Sequence, residues 1–424
     1  MQWHGSRHRV AGYVTEMSTV SPSARRWITV ALLVGTSLAS LEAMVVGPAM
    51  PAVVGDFGGA GLYPWVFTAY IGAQTLTMPL YGALADRRGR RAAYLLGVTL
   101  FLLGSLVSAM AGSMEVVVAG RLMQGLGAGA ILPVTQTIFG DLYPVEQRTR
   151  MQGWFSLIWG VSSLLGPAVG GWLTEVFSWR AVFWLNLAPG LVSAVLIGLL
   201  VPARLGRGQG SGPGLLAAVP RLLRVPVIQA VALSGLTLGA ALYGVVGYLP
   251  VHVQATLGGS PLDAGIALIP MSLSWTFSAN VAGRLLRRLG FAGLVRAGAS
   301  MALVGTVLAA VWTASTPGLM LFGAGMGFLI SSFTVASQEA APPELVAQAT
   351  TLGLFTRSVG SAVGVPLLGL LAGIDPGAAE FSAIEGLDLG LARVFVAVAA
   401  CVAVSALVAV LRFPRSVPPA GARG

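Results

Sequence analysis

Residues 82–91 read Gly-Ala-Leu-Ala-Asp-Arg-Arg-Gly-Arg-Arg and place one aspartate and four arginines between two apolar runs. The runs on either side, 63–85 and 92–112, are each long enough to cross a bilayer, which takes about 20 apolar residues. Charges gathered in so short a turn predict a tight loop at the membrane surface, and arginines favour its cytoplasmic side. The simplest role of the segment is therefore to fix the topology of the spans around it.

The composition extends this pattern to the whole chain. Of its 424 residues, 55% are hydrophobic and 9% are charged, whereas a soluble domain carries about 25% charged residues. Twelve apolar runs have approximate cores at 27–50, 63–85, 92–112, 116–139, 151–173, 179–201, 227–251, 264–286, 292–313, 317–337, 350–372 and 389–411. We therefore predict an all-α polytopic membrane protein with twelve transmembrane helices.

The arginines predict the orientation of these helices. All 25 basic residues are arginine, and 21 of them lie in the tails or in loops on one side of the predicted membrane. By the positive-inside rule both tails, 1–26 (starting at Met1 or Met17) and 413–424, are cytoplasmic. The net charge of +10 thus reflects topology and does not indicate nucleic-acid binding. The opposite loops carry acidic residues: Asp56, Glu115, Glu175, Asp263, Asp375, Glu380, Glu385 and Asp388.

The two halves of the chain, 27–201 and 227–412, repeat each other. The stretch between them, 202–226, is rich in Gly, Pro and Arg and is the predicted cytoplasmic linker. Two parallel repeats of six helices imply pseudo-symmetric bundles and a transport site between them near the membrane midplane. The repeated glycines are 200 or 201 residues apart: Gly82 and Gly283, Gly89 and Gly290, Gly153 and Gly353, and Gly160 and Gly360.

Two charged side chains are predicted to lie within the hydrocarbon zone of the first half. Glu42 is the only charged residue between Arg26 and Asp56, and an ionised acid at the bilayer centre costs about 3 kcal/mol, so it needs a partner or a proton. Arg121 opens the fourth span, three residues before Gln124. Its alternative role is to snorkel to the interface, whereas a charge that stays inside the membrane is a candidate functional residue.

Small residues and a proline interrupt the fifth span. Gly166, Pro167, Gly170 and Gly171 combine a kink with positions that allow close helix approach, which is a packing role in any polytopic protein. Gly166 and Gly170 are four residues apart and share one helix face. We expect the opposing half to pack against that face.

Further candidates lie in spans that would line a cavity between the halves. Arg357 lies about ten residues into the eleventh span, where it could attract an anionic group, act on Glu42 across the cavity, or bind carbonyls or a cytoplasmic acid. Trp159, Tyr243 and Trp275 are candidate substrate contacts together with Gln124, although aromatic residues in membrane helices also serve packing and interfacial roles.

The sequence lacks the residues that several classes of function require. Without lysine the chain can contain no Gly-x-x-x-x-Gly-Lys-Ser/Thr loop, so ATP is not expected to drive it. Three histidines and the single cysteine, Cys401, indicate no metal cluster, no catalytic triad and no internal disulfide. We predict no cofactor, no metal and no enzymatic activity.

These segments resemble the major facilitator superfamily. The order Gly, Asp, Arg, Gly, Arg, Arg in 82–91 matches its signature loop, and Arg-x-x-Gln-Gly-x-Gly-x-Gly from Arg121 matches a fourth-helix motif associated with proton transfer. Gly-Pro-x-x-Gly-Gly from Gly166 resembles the motif of the superfamily's antiporters. Residues 41–51 and 178–186 resemble motifs of drug:proton antiporters. Most of these antiporters have Asp in place of Glu42. The branch that this chain resembles most usually has fourteen spans.

The resemblance implies roles for the charged loop. It implies a cytoplasmic latch that ties the halves in the outward-facing state, and the second half has Arg287 in place of the aspartate, so its own latch is predicted to be degenerate. The latch residues would be Gly82, Asp86, Arg87, Gly89, Arg90 and Arg91, with Asp141 at the end of the fourth span.

We predict a monomeric secondary transporter of the bacterial inner membrane, with the lipid bilayer, protons and a small-molecule substrate as its partners. It would export small amphipathic compounds or drugs by alternating access in exchange for protons, with Glu42 and Arg121 carrying the coupling. A proton symporter for a nutrient or metabolite is the alternative within transport, and the antiporter-like motif in the fifth span argues against it. A non-transporting membrane sensor or scaffold is the alternative of another class, and the intramembrane charges argue against that.

Overall fold

The computed structural model describes residues 21–143, 145–205, 215–311, 315–374, 378, 380–381 and 384–413. Asp375 and both candidate start residues lie outside these ranges. Within them the chain forms fourteen α-helices, α1 to α14: Pro22–Phe57, Tyr63–Arg88, Arg90–Ala109, Met114–Leu142, Val145–Val176, Arg180–Trp184, Leu187–Leu200, Leu215–Leu222, Pro226–Val251, Pro261–Ala267, Ile269–Val311, Thr316–Ala340, Val346–Leu371 and Leu387–Arg412.

Twelve membrane spans account for nearly all of these helices. Ten described stretches are long and apolar enough to cross a membrane. One of them, Pro261–Val311, bends at Gly290 with φ +67° and so holds the eighth and ninth spans. The helix α2 is less apolar because it ends in the charged turn, yet its 26 residues extend about 39 Å, enough to cross. With α6 and α7 sharing the sixth span, the predicted twelve-helix fold is confirmed.

The first helix shows why the spans exceed their apolar cores. It begins at Pro22, ahead of the predicted core at 27–50, because Ser21 caps it by accepting from the Ala24 amide at 3.2 Å and proline suits the first helical turn. It continues to Phe57 and stops at Gly58, where φ is +71°. The backbone hydrogen bonds carry the helix past the hydrophobic stretch in both directions.

The two halves pack as structural repeats. In the first half α1 packs against α5 and α3 against α4, and in the second half α9 packs against α13 and α11 against α12. Gly89 and Gly290, 201 residues apart, both take positive φ, at +94° and +67°. The segment between the halves contains α8, whose Ala218 and Leu222 pack in a small apolar cluster with Leu345. The domain boundaries given above stay predictions.

The two halves are joined by hydrogen bonds at one end of the molecule, where α1 ends. Every hydrogen bond between described residues of the two halves lies at this end. The Tyr63 hydroxyl donates to the Gly247 carbonyl, and Gln254 Nε2 donates to the Pro48 carbonyl at 2.9 Å. Thr68 Oγ1 donates to the carbonyl of Ala362 at 3.0 Å. These contacts close the space between the halves at that end.

Candidate functional site

Glu42 lies near the middle of α1 with no solvent exposure. Both carboxylate oxygens accept hydrogen bonds: Arg121 Nη1 donates to Oε1, and Asn186 Nδ2 donates to Oε2 at 2.5 Å. The sequence predicted that an acid here needs a partner, and Arg121 on α4 is that partner. The acid faces the interior of the first half.

Arg121 is held from several sides and does not snorkel. Its Nε donates to the Val66 carbonyl at 3.2 Å, and its Nη1 also donates to Gln124 Oε1 at 2.9 Å. Its guanidinium carbon lies 4.1 Å from the centre of the Tyr70 ring, a cation–π contact. The side chain is 2% exposed, so the guanidinium stays within the bundle.

Two members of this network were missed by sequence reasoning. Ser105 Oγ on α3 accepts from Gln124 Nε2 at 2.7 Å and from Asn186 Nδ2 at 3.0 Å. Asn186 lies at the break between α6 and α7, which brings its amide to α1. The prediction that Gln124 lines the substrate cavity is wrong in this conformation, because the residue is fully buried and its amide is bonded to Arg121 and Ser105. A signal for Asn186 existed, since it ends the motif at 178–186.

The same motif also holds the end of the first helix. Trp179 Nε1 donates to Asp56 Oδ2 at 2.8 Å, and Arg180 Nη1 lies 3.6 Å from the same oxygen. The Arg180 guanidinium stacks over the Trp179 ring at 4.2 Å. Residues 178–186 therefore contact α1 twice, at its end and at Glu42.

The charge balance of the network defines what it can do chemically. With Glu42 ionised, its charge and that of Arg121 cancel inside a region closed to water. With a proton on Glu42, the network carries one positive charge and loses its ion pair. A buried ion pair that loses one charge is strongly disfavoured, so proton uptake would press the surrounding helices to rearrange.

A second charged cluster lies in the predicted latch. Arg90 Nη1 donates to Asp86 Oδ1 at 2.6 Å, and its Nε donates to Asp141 Oδ2 at 3.3 Å. The predicted trio of Asp86, Arg90 and Asp141 is thus brought together, with Arg90 5% exposed. All three residues belong to the first half.

Other residues of the loop differ in their contacts. Gly89 has φ +94°, and a Cβ there would lie 2.7 Å from the Ala203 carbonyl oxygen, so glycine is required both by conformation and by close approach. Arg91 Nη1 donates to the Val201 carbonyl at 3.4 Å. Arg87 and Arg88 are exposed and donate to no described residue, and Gly82 is exposed with open space around it.

The glycine motif of the fifth span packs differently from our expectation. A Cβ on Gly166 would lie 2.6 Å from the Met44 Cβ, and one on Gly170 would overlap the Val45 backbone. The prediction that this face meets the opposing half is therefore wrong, because α5 uses it to lie against α1 of its own half. Gly171, one residue on and on another face, meets Pro261 of the second half, and the Pro167 carbonyl approaches Gly265.

The remaining cavity candidates lie near the boundary between the halves. The Tyr243 hydroxyl lies within electrostatic range of both the Arg121 and Arg357 guanidinium groups. Trp159 and Trp275 directly precede Gly160 and Thr276, which approach each other between α5 and α11.

Comparison with known proteins assigns the chain. The model of the Major Facilitator Superfamily matches residues 32–365. The chain belongs to this superfamily. As a member it is a multi-pass membrane transporter, and its twelve helices form the two halves of the superfamily fold.

Relatives of this superfamily member include two proteins of Bacillus subtilis (strain 168). Multidrug transporter protein MdtP is 27% identical over 410 residues, covering 82% of this chain and 75% of the relative. Multidrug resistance protein 3 is 28% identical over 415 residues, covering 84% and 81%. A crystal structure of a bacterial homologue of the human lysosomal transporter Spinster, inward-facing and unoccupied, matches with a TM-score of 0.75 at 17% identity, covering 92% of this chain and 97% of that one.

Proposed function

We propose that this transporter exports small amphipathic compounds in exchange for protons, with Glu42 as the proton carrier. The observation that carries the proposal is the sealed ion pair of Glu42 and Arg121 in the middle of the first half. An ionisable residue at that depth is costly. Apolar residues of similar volume often stabilise a fold as well as a buried ion pair does, so stability alone gives little reason for this pair. A group that must gain and lose a proton accounts for that cost.

The contacts of α1 supply a route from the proton to the contact between the halves. Met44 and Val45 pack on the glycines of α5, and they lie two and three residues beyond Glu42. Gly47 then lies against Val246 of the second half, and Pro48 accepts from Gln254. Pro48 is six residues, or about 9 Å, along the helix from Glu42. A shift of α1 on protonation would therefore act directly on the closed end.

The orientation follows from the charge distribution. Cytoplasmic tails in a bacterial inner membrane place the closed end at the outer face, so the described conformation would be inward-facing. In that state Glu42 is ionised and paired, and substrate enters from the cytoplasm. In the outward-facing state the acid takes a proton, and the return step delivers it inside. The cluster of Asp86, Arg90 and Asp141 would then act as the cytoplasmic latch of the outward-facing state.

The direction of transport rests on resemblance and on the relatives. Two relatives carry multidrug names, and the order of Gly166 to Gly171 is that of antiporters. We also propose that residues 202–226 form the linker between the two halves. One chain would transport on its own, as a monomer.

Proteoliposomes with the pH dye pyranine inside and an acidic lumen test this function. Substrate added outside should speed the escape of luminal protons, because antiport exchanges one for the other. The compounds should span anionic, neutral and cationic amphiphiles. Luminal acidification on substrate addition would indicate symport, and no pH response to any transported compound would contradict proton coupling.

A further inference from the structure

Arg357 is a charged side chain in the second half with no partner among the residues that the structure describes. It lies eleven residues into α13, about 16 Å from the start of that 26-residue helix and hence close to the middle of the span. Its guanidinium forms no hydrogen bond and no ion pair with any residue that the structure describes. An arginine carries five N–H donors and is always charged, so this is an uncompensated cation at membrane depth.

The one acidic residue predicted at membrane depth is already paired with other side chains. Glu42 is the only carboxylate of the sequence within an apolar span core, and Arg121 and Asn186 occupy both of its oxygens. The two halves thus differ in charge: the network of the first half is neutral, whereas Arg357 leaves the second half positive. A cationic compound would meet no free negative group here.

The surroundings of Arg357 fit an anionic head group attached to an apolar body. It lines a small cavity of about 40 Å³ between α9, α12 and α13, with walls that include Val231, Leu238, Phe333 and Leu354. The cavity has room for a carboxylate-sized group, since about 10–15 Å³ of such space already holds one water molecule.

The hydroxyl groups of this cavity do not compete for an anion. Thr334, Ser337 and Thr350 each donate to a backbone carbonyl of their own helix. This leaves the guanidinium as the strong free donor of the cavity.

Arg357 lies on α13, which packs against α2 of the first half, where Thr68 Oγ1 donates to the Ala362 carbonyl at 3.0 Å. The Tyr243 hydroxyl on α9 lies within electrostatic range of both Arg357 and Arg121. Arg357 is five residues, or about 8 Å along α13, from a contact between the halves, the boundary at which transport sites of such repeated bundles form.

We propose that Arg357 binds the anionic group of the transported compound, so that the preferred substrates are amphipathic organic anions. The inference rests on the proposed transport function and names its substrate class. Arginine binds carboxylate groups through two parallel hydrogen bonds, and a cavity of about 40 Å³ receives this group while the apolar body of the ligand lies outside it.

Equilibrium binding of a matched triplet tests the proposal. The three probes share one aromatic body: biphenyl-4-carboxylate, biphenyl-4-carboxamide and biphenyl-4-methylammonium. Their affinities are measured by calorimetry on the full chain in nanodiscs of zwitterionic lipid at 0.15 M salt. Wild-type protein should bind the carboxylate about tenfold or more tightly than the amide. Carboxylate binding no tighter than amide binding, or tighter binding of the ammonium compound, would overturn the proposal.

Three variants locate the effect. In Arg357→Met the preference for the carboxylate should vanish, and in Arg357→Lys it should be partly kept, because lysine retains the charge and loses the planar fork. Arg393→Met removes an exposed arginine from α14 and should leave the preference intact. An unchanged preference in folded Arg357→Met also contradicts the proposal. Because no gradient is applied, this result is independent of the pyranine assay, and either proposal can fail alone.

Discussion

The carboxylate of Glu42 and the guanidinium of Arg121 form an ion pair between α1 and α4, with side-chain exposures of 0% and 2%. Seventy-nine residues separate them in sequence. The pair also binds Gln124 and Asn186, so its loss affects α1, α4 and the junction of α6 and α7 at once. This geometry makes the stability of the first half and the proposed proton coupling depend on the same atoms.

The first prediction is a strong coupling between the two charges. Glu42→Gln and Arg121→Met should each lower the free energy of unfolding by about 3 kcal/mol, because each leaves one buried charge uncompensated. The double variant should be less destabilised than the sum by at least about 2 kcal/mol. Reversible unfolding in detergent measures the cycle. Effects that add within about 0.5 kcal/mol would show that the pair is not energetically coupled.

A second prediction concerns Asn186, which donates to the second oxygen of Glu42. Asn186→Leu removes a donor that stabilises the ionised carboxylate, so proton binding should move to higher pH. Stability should fall by about 1–3 kcal/mol. The readout is the pH at which half of the substrate-dependent proton release occurs. Ser105→Ala, which contacts Asn186 and not Glu42, serves as the control with a smaller shift. Equal shifts in both variants would contradict the direct role of Asn186.

The third prediction separates the latch from the binding site. Asp86→Asn should slow turnover more than it weakens substrate binding, because Asp86 contacts Arg90 at the end of α2. Since Asp86 and Asp141 share Arg90, the double variant should be little worse than either single one. Arg88→Gln is the matched control, as Arg88 is exposed, donates to no described residue and is not among the predicted latch residues. A loss of affinity that fully explains the loss of transport would refute the latch.

A fourth prediction tests the face of α5 that contacts α1. Gly166→Val and Gly170→Val place a branched side chain against Met44 and the Val45 backbone, at a cost of about 1–3 kcal/mol. Both should reduce export and raise the passive proton leak of proteoliposomes. Gly153→Val lies on the same helix with no atom within 4 Å of the added Cβ and should behave as wild type. If Gly166→Val and Gly170→Val transport as well as the Gly153→Val control and leak no more protons than it does, the contact has no role in coupling.

Much of the fold could be predicted from the sequence, because apolar length and arginine position are properties that the bilayer imposes on each span separately. Glu42 and Arg121 stood out for the same reason, as charges in apolar runs. That Glu42 needs a partner also followed, but not which one, because Arg121 and Arg357 both lie in apolar runs. The helix ends at Pro22 and Phe57 did not follow, because backbone hydrogen bonding continues beyond the hydrophobic core.

The errors concern which neighbour a face meets. Gln124 was expected in the cavity, and Gly166 and Gly170 were expected against the second half. Helical periodicity tells which residues share a face, and it does not tell which of several adjacent helices that face contacts. Ser105 was missed because a single polar residue in a span carries no signal until the fold brings it to a charge, whereas Asn186 ends the motif at 178–186 and its partner could not be read from that motif.

The proton-driven activity of Glu42→Gln tests the central claim most directly. The variant keeps the shape of the side chain and loses its titration, while Glu42→Asp keeps the charge with a shorter reach. Substrate-dependent proton release is measured with pyranine, beside melting curves that verify folding. The account predicts that folded Glu42→Gln releases no protons on substrate addition while Glu42→Asp retains part of the response. Proton release at the wild-type rate by Glu42→Gln would contradict Glu42 as the proton carrier.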